Sequence, residues 1–129
     1  MPHYKPASSL ESPRYTGVRT FARLPYIQTL EDVDVAIVGL PFDTGVTYKV
    51  GARFGPESVR SASVMLRPYN PVLKVPVFET LSCIDYGDAP VVPGYLEDSH
   101  KAITSSVQPL AAAGIITLGI GGDHSIALP

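Results

Sequence analysis

Ile115-Ile116-Thr117-Leu118-Gly119-Ile120 is an apolar, β-branched run that passes directly into Gly121-Gly122-Asp123-His124-Ser125. The run reads as a buried strand, because a short continuous apolar segment bounded by glycine suits a sheet covered on both faces. The glycines let the chain turn sharply at the strand's end and approach a ligand closely. His124, just past that turn, is the first candidate for chemistry. A histidine at a strand's carboxyl end is placed to ligate a metal, and the competing reading is a histidine hydrogen-bonded within its turn. Asp123 is a candidate to orient a neighbour, or a turn residue. Ser125 is expected to cap the helix that follows.

Upstream the same grammar repeats. Val33 to Gly39 is a second β-branched run ending in glycine and predicts a strand. A glycine-containing loop follows from Leu40 to Gly55, with Asp43, Gly45, Gly51 and Arg53 on it. Asp43 could line a pocket for a cation or make an Asx turn. Gly55-Pro56-Glu57 is a helix start: proline suits the first helical position and glutamate the positive end of the dipole. Val59, Ala62, Ser63 and Leu66 fall at helical spacing, and Pro68 is expected to end that helix. Another strand is expected from Leu81 to Asp85, and Asp85-Tyr86-Gly87-Asp88 reads as a turn at its end more readily than as an acid–base pair. Gly94 to Gly114 reads as helix, with Leu96, Ile103, Val107 and Leu110 on one stripe and Gly114 as its cap. Pro109 should kink or split it.

Strand and helix thus alternate, which predicts parallel strands with right-handed crossovers. Such sheets put their chemistry at the carboxyl ends of strands, where both glycine-rich segments fall. Three strands and two helices leave apolar sheet surface open, so 129 residues read as a cut through a larger domain, with a poorly cooperative thermal melt for the chain alone. Residues 1–30, punctuated by Pro2, Pro6, Pro13 and Pro25, read as an irregular arm that packs on the body or a neighbouring subunit, or as a disordered tail. Residues 31–129 carry the α/β pattern.

Composition bounds the partners. A net charge of -2 without a basic patch gives no reason to expect nucleic acid. No apolar run reaches the ~20 residues of a membrane helix. Met1 to Leu10 has no apolar core of a secretory signal, so a cytosolic location is expected, while Arg14, Arg19 and Arg23 keep an organellar address open. Cys83, the single cysteine, reads as a small buried hydrophobe. His3 and His100 lack glycine-rich surroundings and read as surface or packing residues. Gly119-Ile120-Gly121-Gly122 is a weak match to a dinucleotide loop, since histidine stands where the last glycine belongs.

Taken together, several segments resemble the ureohydrolase (arginase/agmatinase) family, its agmatinase and guanidinobutyrase branch in particular. Gly121-Gly122-Asp123-His124-Ser125 resembles the family's first metal-binding signature. Phe54-Gly55-Pro56 to Arg60 resembles its helix-opening motif, and Leu40 to Gly45 its first active-site loop. Arg67-Pro68-Tyr69-Asn70 and Asp85-Tyr86-Gly87-Asp88 are also similar to family segments, in the family's order, from about Arg14 onward. The resemblance implies a three-layer α/β/α sandwich with a parallel sheet, here incomplete, and two manganese ions at the strands' carboxyl ends, one of them held by His124. It implies hydrolysis of a small guanidino compound, agmatine or 4-guanidinobutyrate before arginine, to urea and an amine. Bridged cations acidify a shared water for that attack. A homotrimer or hexamer is implied as well. The family's remaining ligands come from Asp-x-His-x-Asp and Asp-x-Asp motifs, and neither occurs before Pro129. The activity is therefore expected of a longer chain and not of these residues alone. A non-catalytic paralogue that pairs with full-length subunits and a phosphate-binding α/β module are the other readings.

Overall fold

The computed structural model describes residues 1–129. Its centre is a parallel three-stranded sheet: β1 (Val35–Leu40), β4 (Cys83–Asp88) and β5 (Ile116–Gly121), in the order β4-β1-β5. Between β1 and β4 lie α1 (Gly55–Ser63), a two-residue hairpin of β2 (Tyr69–Asn70) and β3 (Val75–Pro76), and the single turn α2 (Val77–Thr80). The long helix α3 (Leu96–Ala112) carries the chain from β4 across to β5.

The layers follow from β1, the central strand. Ala36, Val38 and Leu40 point to one face, where they pack with Ile84, Ile115 and the α3 residues Ile103 and Leu110. Ile37 points to the other face, against Cys83 and the arm residues Ala22 and Leu24. Alternation with period two thus feeds two separate cores, which is the signature of a sheet sandwiched between layers. The three-layer α/β/α reading from the sequence holds. The second face is only partly covered, and a groove of about 600 Å³ lies there, lined by Ile37, Phe78, Leu81 and Leu118 among others.

Residues 1–30 contain one 3-10 turn, Phe21–Arg23, and lie against the body. The Tyr4 N–H donates to Ser82 Oγ at 3.0 Å, and the Cys83 N–H donates to the Tyr4 carbonyl at 3.2 Å. Pro25 accepts from the Asp85 N–H, and the Ile27 N–H returns to the Asp85 carbonyl, so the arm briefly adds a parallel rung to β4.

Four expectations need correction. The strand before His124, read as buried, is largely exposed as β5, with Ile116 at 64% and Leu118 at 48%, because it lies at the open edge of the sheet. The α1 helix ends at Ser63, well before Pro68, so Leu66 lies outside it, and both Val59 and Leu66 are exposed. Its inner face carries Pro56, Arg60 and Ser63, because what it meets is polar: the Ala22 N–H donates to Ser63 Oγ at 2.7 Å. Pro109 does not split α3, which runs through it as one helix. It lies in the last turns, where only a single N–H is lost. Asp85 to Asp88 belong to β4 and not to a turn. Gly114, at φ +75°, does cap α3 as expected. Its N–H meets the Ala111 carbonyl and the Ile115 N–H meets the Leu110 carbonyl, both at 3.0 Å, a Schellman closure that sends the chain straight into β5.

Candidate functional site

The carboxyl ends of β1, β4 and β5 lie together, and each contributes a polar element. Past β5, Gly122 adopts φ +112°, and a Cβ there would collide with the Leu40 and Phe42 carbonyls. A Cβ on Gly55 would collide with the Gly121 carbonyl. Glycine at these positions lets the β5 turn, the β1 loop and the start of α1 touch backbone to backbone.

Asp123 anchors that junction. Its N–H donates to the Phe42 carbonyl at 2.7 Å. Its carboxylate accepts from the Gly45 N–H and the Ser125 N–H, each at 2.9 Å. The second of these bonds makes Asp123 the N-cap of the 3-10 turn His124–Ala127. Ser125 is therefore not the cap. Asp123 sits at the extended position before the turn, and Ser125 Oγ bonds back to it. His124 is the first residue of that turn and is exposed, at the carboxyl edge of the sheet.

Asp43 is buried, at 1% exposure, inside the β1 loop. It accepts from the Gly51 N–H at 2.7 Å, the Arg53 N–H at 3.1 Å and Arg53 Nε at 2.7 Å. Burial pushes this carboxyl up, but the two backbone N–H groups and the Arg53 guanidinium outweigh it and hold it below its usual value. Asp43 is thus a clamp that closes the loop on itself. Its partners lie further along the chain than an Asx turn reaches.

Arg60 is the residue that strand and helix periodicity do not single out. From α1 it reaches β4, with Nε to Asp85 Oδ2 at 2.8 Å, Nη2 to Asp85 Oδ1 at 2.9 Å and Nη1 to Asp88 Oδ1 at 2.6 Å. Burial works against the cation, but the two carboxylates more than compensate and raise its pKa above the ordinary arginine value. Asp85 also accepts from the Phe21 N–H at 2.8 Å, which fixes the arm to the same cluster. Only the helix-opening motif pointed to Arg60 beforehand.

His124 is an imidazole of the right kind for manganese, but the chain's histidines, carboxylates and cysteine form no group of three or more able to hold an ion. Asp43 and Asp123 are engaged by protein N–H groups. His3 lies exposed in the arm beside Tyr4, and the buried Nε2 of His100 has no partner. His124 could supply one imidazole to a two-manganese centre, and the other donors such a centre needs are not grouped among these residues.

The parallel sheet thus carries clamped loops at its strand ends and an exposed histidine on the turn after β5. Residues 33–129 match the arginase family model, and the chain belongs to the arginase family. Guanidinobutyrase of Pseudomonas aeruginosa is 37% identical over 98% of this chain and 40% of its own length. The mitochondrial agmatinase of Gallus gallus is 43% identical over 90% of this chain and 34% of its own. Among solved structures, proclavaminate amidino hydrolase from Streptomyces clavuligerus superposes with a TM-score of 0.83 at 35% identity, covering 90% of this chain and 38% of that one. The formiminoglutamase of Trypanosoma cruzi with Mn2+ gives 0.70 at 30% identity, covering 83% and 36%. The chain therefore spans about 40% of the length of the guanidinobutyrase it matches.

Proposed function

We propose that this chain is the amino-terminal part of a manganese-dependent hydrolase that splits a small guanidino compound into urea and an amine. Agmatine and 4-guanidinobutyrate are the leading substrates. The observation that carries the reading is the exposed His124 on the turn after β5, braced by Asp123 against the loop after β1. Manganese, when bound, supplies a water acidic enough to act as a nucleophile near neutral pH. The residues here have other tasks. His124 offers one imidazole ligand. Asp123 fixes the turn that presents it. Asp43 and Arg53 hold the β1 loop in place beside that turn. The remaining ligands belong to the part of the protein beyond these residues, and the 129 residues alone do not turn over. The whole protein assembles as a homotrimer or hexamer in the cytosol.

The test is urea release by the full-length protein, with manganese added and then removed by chelation. Release from a guanidino compound that disappears on chelation and returns with manganese supports the reading. His124→Ala should lower manganese affinity at least ~10-fold, read by elemental analysis of the purified protein. No urea from agmatine, 4-guanidinobutyrate or arginine would sink the reading.

A further inference from the structure

Asp85 and Asp88 are three residues apart on β4, so in a regular strand they would point to opposite faces of the sheet. A bulge changes this. β1 pairs Ile37 with Asp85 but Val38 with Gly87, which leaves Tyr86 as an extra residue in β4. Gly87, at φ +88°, absorbs the bend, and Asp88 returns to register opposite Gly39. Both carboxylates therefore face α1, and Arg60 binds both. Asp85 is buried and fixes the arginine. Asp88 is 44% exposed and adds a contact at 2.6 Å, at the carboxyl end of the strand.

That second contact bears on the start of α1. Asp88 Oδ1 lies over Gly39, where a Cβ would collide with it, and Pro56 Cβ would be 3.1 Å from the same point. Asp88, Gly39 and Pro56 thus pack together at the strand ends. One residue earlier, Gly55 rests on the Gly121 carbonyl. Gly55 has ordinary helical angles, φ -56° and ψ -52°, so its backbone would suit alanine. Only the neighbouring carbonyl forbids a side chain there. A helix is stiff, and Gly55 lies about 7.5 Å along its axis from Arg60. The position that Arg60 and the two aspartates set for α1 is therefore passed to Gly121, three residues before His124.

We propose that α1 positions the His124 turn: Arg60 and Asp88 set the helix in place, and Gly55 seats the turn against it. Gly55, Arg60 and Asp88 are positioning residues that act through His124. The inference rests on the reading of His124 as a manganese ligand, and it adds a support for that ligand separate from Asp123.

The experiment uses the full-length protein freed of metal, with two readouts. The first is the NMR signal of the His124 ring, identified by its loss in His124→Ala. The second is manganese affinity, from a titration followed by the EPR signal of free Mn2+. Gly55→Ala drives a Cβ into the Gly121 carbonyl, a collision that only a backbone shift relieves. Ligand distances in a metal site hold to about 0.2 Å, so affinity should fall about tenfold or more and the His124 signal should move. Asp88→Ala leaves the Arg60–Asp85 pair in place. It should move the same signal and weaken manganese binding by more than about twofold, with a urea unfolding midpoint close to that of wild type. Ser58→Ala, at an exposed position on the same helix, should change neither readout. An Asp88→Ala protein with the wild-type His124 signal and an affinity within about twofold overturns the proposal, whatever Gly55→Ala does. A wild type that binds no manganese overturns the reading of His124 as a ligand, while the NMR signal still decides whether α1 positions its turn.

Discussion

Arg60 and Asp85 meet as a two-pronged ion pair, with Nε and Nη2 of the guanidinium donating to separate carboxylate oxygens at 2.8 and 2.9 Å. Asp85 is 1% exposed, so removing the cation strands a buried charge. Arg60→Met should lower the stability of the full-length protein by about 3–5 kcal/mol. Arg60→Lys should recover only part of this, since an ammonium cannot reproduce the planar fork. Denaturant unfolding measures both. A loss below about 1 kcal/mol would mean that the pair behaves like an exposed one.

The Asp43 clamp gives a pH dependence of known sign. Its native pKa is lowered, so folding favours the ionised form. The stability it adds is complete above the unfolded value of about 4 and is lost as pH falls through the lower native value. Asp43→Asn should cost about 1–3 kcal/mol at neutral pH and flatten the acid limb of the stability curve. Unfolding midpoints from pH 7 down to pH 3 test this. An unchanged acid limb in the variant would show that other carboxylates set it.

Cys83 should be inert in the native protein. Burial first, and the neighbouring Asp34 charge second, push its thiol up to about 11. A thiol reagent at pH 8 should label it only after unfolding in urea. Rapid labelling of the folded protein would mean that the arm and α2 open readily above β4.

The 129 residues taken alone leave apolar surface in water, with Leu118 48% and Val72 86% exposed along the open groove. They should melt over a broad temperature range and bind a hydrophobic dye before melting. One sharp transition without dye binding would show that the arm and hairpin suffice to seal the sheet.

Much of this fold was legible because its signals are local. The runs at Val33–Gly39 and Ile115–Ile120 predicted strands that form within two residues of those limits, since β-branched runs ending in glycine carry their own boundary. The cap at Gly114 was equally local. The length of α1 was not legible: the helical spacing from Val59 to Leu66 suggested a helix running to Pro68, while the observed one stops at Ser63 and its inner face is set by Ala22 and Asp85 from elsewhere in the chain. For the same reason Asp85 and Asp88 looked like turn residues. Their partner Arg60 lies on another element, and no periodicity reports a pair of that kind. At the site, the position of His124 after β5 was read directly from the sequence. The cap was misassigned to Ser125, because both residues favour such positions and only the backbone angles at Asp123 decide between them.

The arm's attachments bear on the order in which the molecule assembles. Tyr4 is held by Ser82, 78 residues later, and Phe21 by Asp85, 64 residues later. Closing loops of that size costs entropy before any contact returns it. The arm, which precedes β4 in the chain, is therefore among the last segments to find its place. Until β4 has formed it has nothing to hold, and substitutions in the arm should hasten unfolding while leaving the rate of folding nearly unchanged.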